Sequence, residues 1–150
     1  MITENIKTTG KLHIVLRDTY GRVKFEKVLA NLVVSGGKNV IASRLTGAVT
    51  PVMSSMALGT GNVAATSSDA SLGAEIPASR QPLVIAGGTS LSNVITYSAT
   101  FSAGVGTGPL TEAGIFNDSV AGSMLCRTTF TVVNKDALDS LTIVWKITIN

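Results

Sequence analysis

The residues of this chain whose type and spacing come closest to a reaction are two pairs of carboxylates. Glu112 and Asp118 stand either side of Gly114, and Asp69 and Glu75 flank a long stretch of small residues. Glycoside hydrolysis uses two carboxyl groups held a fixed distance apart about the scissile bond. Nothing in the order of residues brings either pair together. The rings on which a sugar would stack are also few: Trp145, Tyr20, Tyr97 and four Phe. Trp145 alternates with aliphatic residues, which places it in a core. Glu112, beside a tight apolar turn, is expected to pair with a base such as Arg127 or to accept backbone amides.

The other reactive residue types are isolated. His13 is the only histidine and Cys126 the only cysteine. Without a second His, or a Cys or carboxylate at ligand spacing, His13 suggests no metal site. No serine stands in a Gly-x-Ser-x-Gly elbow. Cys126 alternates with Met124 and Phe130, the setting of a buried, inert thiol with no partner for an internal disulfide. Gly59-Thr60-Gly61 and Gly104-Val105-Gly106-Thr107-Gly108 have the glycine density of phosphate loops. They lack the Lys-Ser/Thr step and the helix that a phosphate cradle opens into, so both are expected to be loops between strands. The expectation is a non-enzymatic protein with no cofactor and no metal.

The elements around these residues are strands. Leu12, Ile14 and Leu16 alternate with His13, Val15 and Arg17. Asp18-Thr19-Tyr20-Gly21 supplies turn residues, and alternation resumes over Arg22–Val28, which predicts a β-hairpin. Asn31–Val34 is a short apolar run ending at Ser35-Gly36-Gly37. Val40, Ile41, Ala42 and Leu45 suit one face of a short helix closed by Gly47. Pro51–Leu58, Leu83–Ala86 and Val94–Phe101 predict further strands. Asp69–Leu72 is expected to make a single helical turn within the small-residue loop. After Thr111–Asn117 come two long alternating runs. In the first, Met124, Cys126, Thr128, Phe130 and Val132 share a face; in the second, Leu141, Ile143, Trp145, Ile147 and Ile149 do. About eight strands with glycine-rich turns predict an all-β fold, an antiparallel β-sandwich or jelly-roll-like domain with one short α-helix. Residues 1–9 read as a polar N-terminal arm and 10–150 as a single β-sandwich domain.

Composition points to partners rather than substrates. Charged residues make up 14% of the chain and the mean hydropathy is +0.39. A small protein with so little charge is expected to have much of its surface covered by neighbours. No apolar run is long enough for a membrane helix, and Met1–Lys7 lacks the basic-then-apolar order of a secretory signal. Residues 1–44 carry eight bases against three acids, and the remainder four against six. In the first hairpin Arg22, Lys24 and Glu26 alternate with Val23 and Phe25, so these charges read as the wet face of a strand. With the aromatics alternating inward, specific nucleic-acid binding is not expected.

Three stretches resemble small bacteriophage virion structural proteins: capsid decoration (cement) proteins or proteins associated with tails and head fibres. The first is Asn31-Leu32-Val33-Val34 with Gly36-Gly37-Lys38-Asn39. The second is Met56-Ala57-Leu58-Gly59-Thr60-Gly61, then Leu72-Gly73-Ala74-Glu75-Ile76 and Arg80. The third is Thr111-Glu112-Ala113-Gly114-Ile115-Phe116-Asn117, then Met124-Leu125-Cys126-Arg127 and Ser140–Trp145. The likeness covers roughly residues 28–149 and leaves out the charged first hairpin. It implies a capsid decoration protein made in the host cytoplasm and carried on the virion, self-associating (as trimers in capsid cement) and bound to the major capsid protein. It implies no catalytic residues. A tail, collar or fibre-attachment component is the alternative role, and a carbohydrate-binding β-sandwich module a further one. Residues 1–9 and the 59–80 loop are expected to order mainly against neighbouring subunits, with Ile2, Ile6, Lys7, Thr60, Asn62 and Arg80 at the contacts.

Overall fold

A computed structural model describes residues 1–150. Nine strands and one helix follow in order: β1 (Thr8–Arg17), β2 (Val23–Val33), α1 (Ser35–Leu45), β3 (Ser55–Gly59), β4 (Gln81–Pro82), β5 (Thr89–Leu91), β6 (Val94–Phe101), β7 (Gly108–Phe116), β8 (Met124–Lys135) and β9 (Ser140–Ile149). The strands form one antiparallel sheet in the order β4-β3-β7-β8-β2-β1-β9-β6-β5. The fold is therefore all-β with a single short helix, as the alternation predicts.

The sheet curls into a half-barrel because β2 serves two neighbours in turn. Val23–Asn31 pair with β1, whereas only Leu32 and Val33 pair with β8. Beyond that switch the two halves of the sheet part and face each other, which is the sandwich-like feature of the fold. Near the far edges they meet again, where the amide of Val84 donates to the carbonyl of Ser98 at 2.9 Å. Between the halves lies a core of 21 buried residues drawn largely from β1, β3 and β6–β9, with Leu12, Ile14, Phe101, Ile143 and Trp145 at its centre. Strand alternation sends these side chains inward and leaves Lys11, His13 and Lys146 on the outer face.

Several local expectations are corrected. Asn31–Val34 is no separate strand: the run up to Val33 is the end of β2, and Gly10 opposite leaves the space that the Asn31 side chain fills. Ser35-Gly36-Gly37 does not break the chain but opens α1. Gly37 stands so close to β8 that a Cβ there would meet the Leu125 carbonyl oxygen at 2.1 Å. Of the Pro51–Leu58 run only Ser55 onward is strand. Leu83–Ala86 is not a strand; Gln81–Pro82 pair with β3, and the chain then turns through Gly87 and Gly88, both at positive φ. Asp69–Leu72 forms no helical turn. In β8 the alternation breaks where the β7 register shifts between Leu110 and Glu112. Phe130 and Val133, three apart, both reach the core, while Val132 is exposed. The leading arm is shorter than residues 1–9. Lys7 and Asn150 already exchange backbone hydrogen bonds of 2.8 and 2.7 Å, and β1 begins at Thr8.

Candidate functional site

The polar centre of the molecule is assembled around Glu112 on β7. Its carboxylate is fully buried. One oxygen accepts the amides of Gly61 at 2.9 Å and Ala74 at 2.7 Å; the other accepts the amide of Gly73 at 2.9 Å and Arg127 Nε at 2.8 Å. Arg127 comes from the adjacent β8, one register step away, where Glu112 pairs with Thr129 and Gly114 with Arg127. Its remaining nitrogens donate to Asp69 Oδ2 at 2.7 Å and to the Val63 carbonyl at 3.0 Å. Asp69 in turn accepts both the amide and the hydroxyl of Thr66. The expected partners of Glu112, Arg127 and backbone amides, are thus both present, and every donor around it is engaged.

The glycines make this approach feasible. A Cβ at Gly59 or at Gly61 would lie 2.4 Å from Glu112 Oε1. The Gly59-Thr60-Gly61 stretch is indeed no phosphate loop. Its backbone does what such loops do, presenting amides to an anion, but the anion is the chain's own side chain.

Burial pushes the Glu112 carboxyl up, yet the amides of Ala74 and Gly73, Arg127 and the amide of Gly61 outweigh it and hold the group below the usual range. Asp69 is held low by the Thr66 amide and hydroxyl and then by Arg127. A carboxylate that is ionised, buried and saturated with donors has no free lone pair to accept a proton and none to give. The cluster is built to hold structure. It pins the 59–75 excursion to the sheet at Gly61, Val63, Asp69, Gly73 and Ala74, and Thr111 Oγ adds a bond to the Gly61 carbonyl at 2.9 Å. Within the chain, the small-residue loop is thus tied to its own sheet by these bonds.

The carboxylate pairs suggested by spacing do not meet in that form. Glu112 and Asp69 are brought together across Arg127. Asp118 stays in an exposed turn, accepting the amides of Val120 and Ala121, which hold its carboxyl low. Glu75 takes Arg80 with both oxygens, at 2.7 and 3.0 Å. Arg80 also donates to the carbonyls of Asp118 and Ala121, and its guanidinium lies 3.8 Å from the centre of the Phe116 ring. Its guanidinium is therefore engaged inside the chain. Thr60 and Asn62 are exposed beside the Gly61 anchor, Lys7 is exposed and paired through its backbone, and Ile2 and Ile6 are 99% and 74% exposed. Cys126 is fully buried, and burial pushes its thiol well above the ordinary range. His13 forms an exposed hydrogen bond to Glu26 at 2.8 Å. No group of three or more His, Cys, Asp or Glu gathers in a way that could hold a metal ion, and no helix is long and apolar enough to cross a membrane.

At one end of the half-barrel a groove of about 320 Å³ opens between α1, residues Pro51–Met53 and β6, with Leu125 and Ile149 among its walls. Of its apolar walls Leu45 and Val52 are exposed, and Val49, Ile85 and Leu91, within four residues of the lining in sequence, are exposed as well. Sequence patterning did not show this groove, because its residues come from six separate segments.

No family model matches the chain, and no curated protein or solved structure is significantly similar to it. What fold and site define is a class by architecture: an all-β half-barrel whose densest polar cluster is turned inward on its own loops.

Proposed function

We propose that this chain is a non-enzymatic structural protein of a bacteriophage virion, and within the particle a capsid decoration protein that binds copies of itself and the major capsid protein. One observation supports the reading above others. Segments that carry the resemblance, far apart in sequence, meet around one buried carboxylate: Gly61 from the second stretch, Gly73 and Ala74 from its continuation, Glu112 and Arg127 from the third. In this chain the residues that carry the resemblance pin loops to a sheet, which suits a role that depends on shape.

The surface suits that role. A decoration protein strengthens a shell by burying area across the joints between subunits, and specific association needs about 1,200–2,000 Å² of interface. A low-charge domain with large apolar side chains exposed beside a groove offers such area without any chemistry. Immunogold labelling of purified particles, with copies counted against the major shell protein, tests the reading. Label over the whole head at high copy number is expected. Label at one vertex or along the tail at low copy number would transfer the protein to the tail or collar. Absence from every particle would remove the virion reading.

A further inference from the structure

We propose that the groove at the end of the half-barrel is the seat of residues 1–6 from a second copy of this chain. The groove and the segment are complementary in three respects. The groove is lined by Val40, Ile41, Ile95 and Tyr97, and Arg44 stands on its wall. Arg44 takes part in none of the seven ion pairs of the chain, and neither does Glu4. In an extended segment Ile2, Glu4 and Ile6 point to the same side, with the two isoleucines about 13–14 Å apart. That order, apolar, acidic, apolar, matches an apolar groove carrying one unpaired cation.

The third respect is backbone. The groove borders β5, one of the two edge strands, which pairs only with β6 and contributes Ser90 to the groove. Its outer edge has unpaired amides and carbonyls, the template on which an extended segment adds as a further strand. The exposed Leu91 is part of the same edge.

The chain's own segment does not fill the groove, which leaves the seat to that of another copy. The paired hydrogen bonds of Lys7 and Asn150 continue the β1–β9 ladder and fix where residues 1–6 leave the sheet. Ile2 and Ile6 remain exposed to solvent, and residues 1–7 contain no Gly or Pro with which to reverse direction. Exchange of such segments joins copies at little conformational cost. The inference needs only two copies of this chain, so it stands or falls independently of the virion reading.

Sedimentation velocity of the full chain across a concentration series tests it, with circular dichroism confirming the fold of every variant. The wild type is expected to self-associate. Ile2→Asp with Ile6→Asp should weaken association by roughly tenfold or more, since each buried aliphatic side chain carries at least that factor. Glu4→Arg and Arg44→Glu should each weaken it, and the two together should restore it. A monomeric wild type at the highest concentration reached would overturn the proposal. So would association that survives the double aspartate variant, which would assign it to another surface. Failure of the charge exchange to restore association would equally overturn the pairing of Glu4 with Arg44.

Discussion

Replacing Glu112 by alanine should cost the protein a large part of its stability, and the structure says where the loss comes from. The substitution strands three part-buried amides, those of Gly61, Gly73 and Ala74, and takes one of two carboxylates from the buried Arg127. A buried donor left unpaired costs about 1–3 kcal/mol, and breaking a buried ion pair from one side about 3–5 kcal/mol. These figures do not add. Asp69 still faces Arg127, and water can enter beside the exposed Thr60 and Asn62 once the side chain is gone. A loss of about 4 kcal/mol is the result expected from those two effects. Domains of this kind are stable by only about 5–15 kcal/mol in all. Glu112→Gln keeps an oxygen for part of the amide set but loses the charge, and should cost about half as much.

Urea titration measures the total, and hydrogen exchange locates it. The Gly61, Gly73 and Ala74 amides should be protected in the wild type by their bonds to Glu112 and lose that protection in Glu112→Ala. Proteolytic cleavage should appear first between residues 59 and 75. A double-mutant cycle of Glu112→Gln with Arg127→Met should show coupling of more than about 1 kcal/mol, since the two groups share a buried contact. An alanine variant within about 1 kcal/mol of wild type, with the three amides still protected, would refute the account of the cluster as the anchor of the loop.

Acid should unfold the protein through the same groups. Glu112, Asp69, Asp118, Asp139 and Asp18 are all held below their ordinary values. The stability they contribute is complete above the unfolded carboxylate range, near pH 4, and is lost as pH falls through their lower folded values. The urea midpoint should therefore be level from about pH 5 to 7 and drop steeply below about pH 4, less steeply in Glu112→Gln; a midpoint unchanged to pH 3 would contradict this. Gly37→Ala should destabilise by about 1–3 kcal/mol, because the added carbon meets the Leu125 carbonyl and α1 must lift from β8; a thermal melt unchanged within error would contradict that packing. Cys126 should resist a thiol reagent in the native protein and react only at the rate of unfolding. Rapid labelling under native conditions would show that the β8 core opens locally.

What was legible in the sequence was whatever repeats with a strand period. Leu12–Ile14–Leu16 and Leu141–Ile143–Trp145–Ile147 alternate, and all seven are buried. Segments whose structure depends on a distant partner were not legible. Gly36 and Gly37 look like a break, and α1 begins there only because β8 lies against it. Leu83–Ala86 has strand composition, but the chain at this point crosses from one half of the sheet toward the other and turns at Gly87 and Gly88. The groove has no local signature, since Val40, Val52, Tyr97, Leu125 and Ile149 become neighbours only when the sheet curls.

Glu112 lies between these two cases, and it shows what a sequence can carry about a site. A carboxylate in an otherwise apolar strand has to be neutralised or solvated within reach, so its partners were predictable by type: a base and backbone donors. Their addresses were not. Gly61, Gly73 and Ala74 lie 38 to 51 residues from Glu112 and are carried to it by a loop whose only large apolar side chains are Val63 and Leu72. Leu72 gives such a loop one foothold in a core cluster. The buried anion supplies much of the rest, and at Gly59 and Gly61 a Cβ would collide with it. At Gly59 and Gly61 the physics is that of a phosphate cradle, although the sequence there reads as a plain loop between strands. The difference lies in supply: a binding site waits for its anion from solution, whereas here β7 delivers it on folding. A glycine-rich stretch without a following helix, in a chain with an isolated acid in an apolar strand, is then better read as one half of an internal clamp, and Glu112→Ala tests that reading directly.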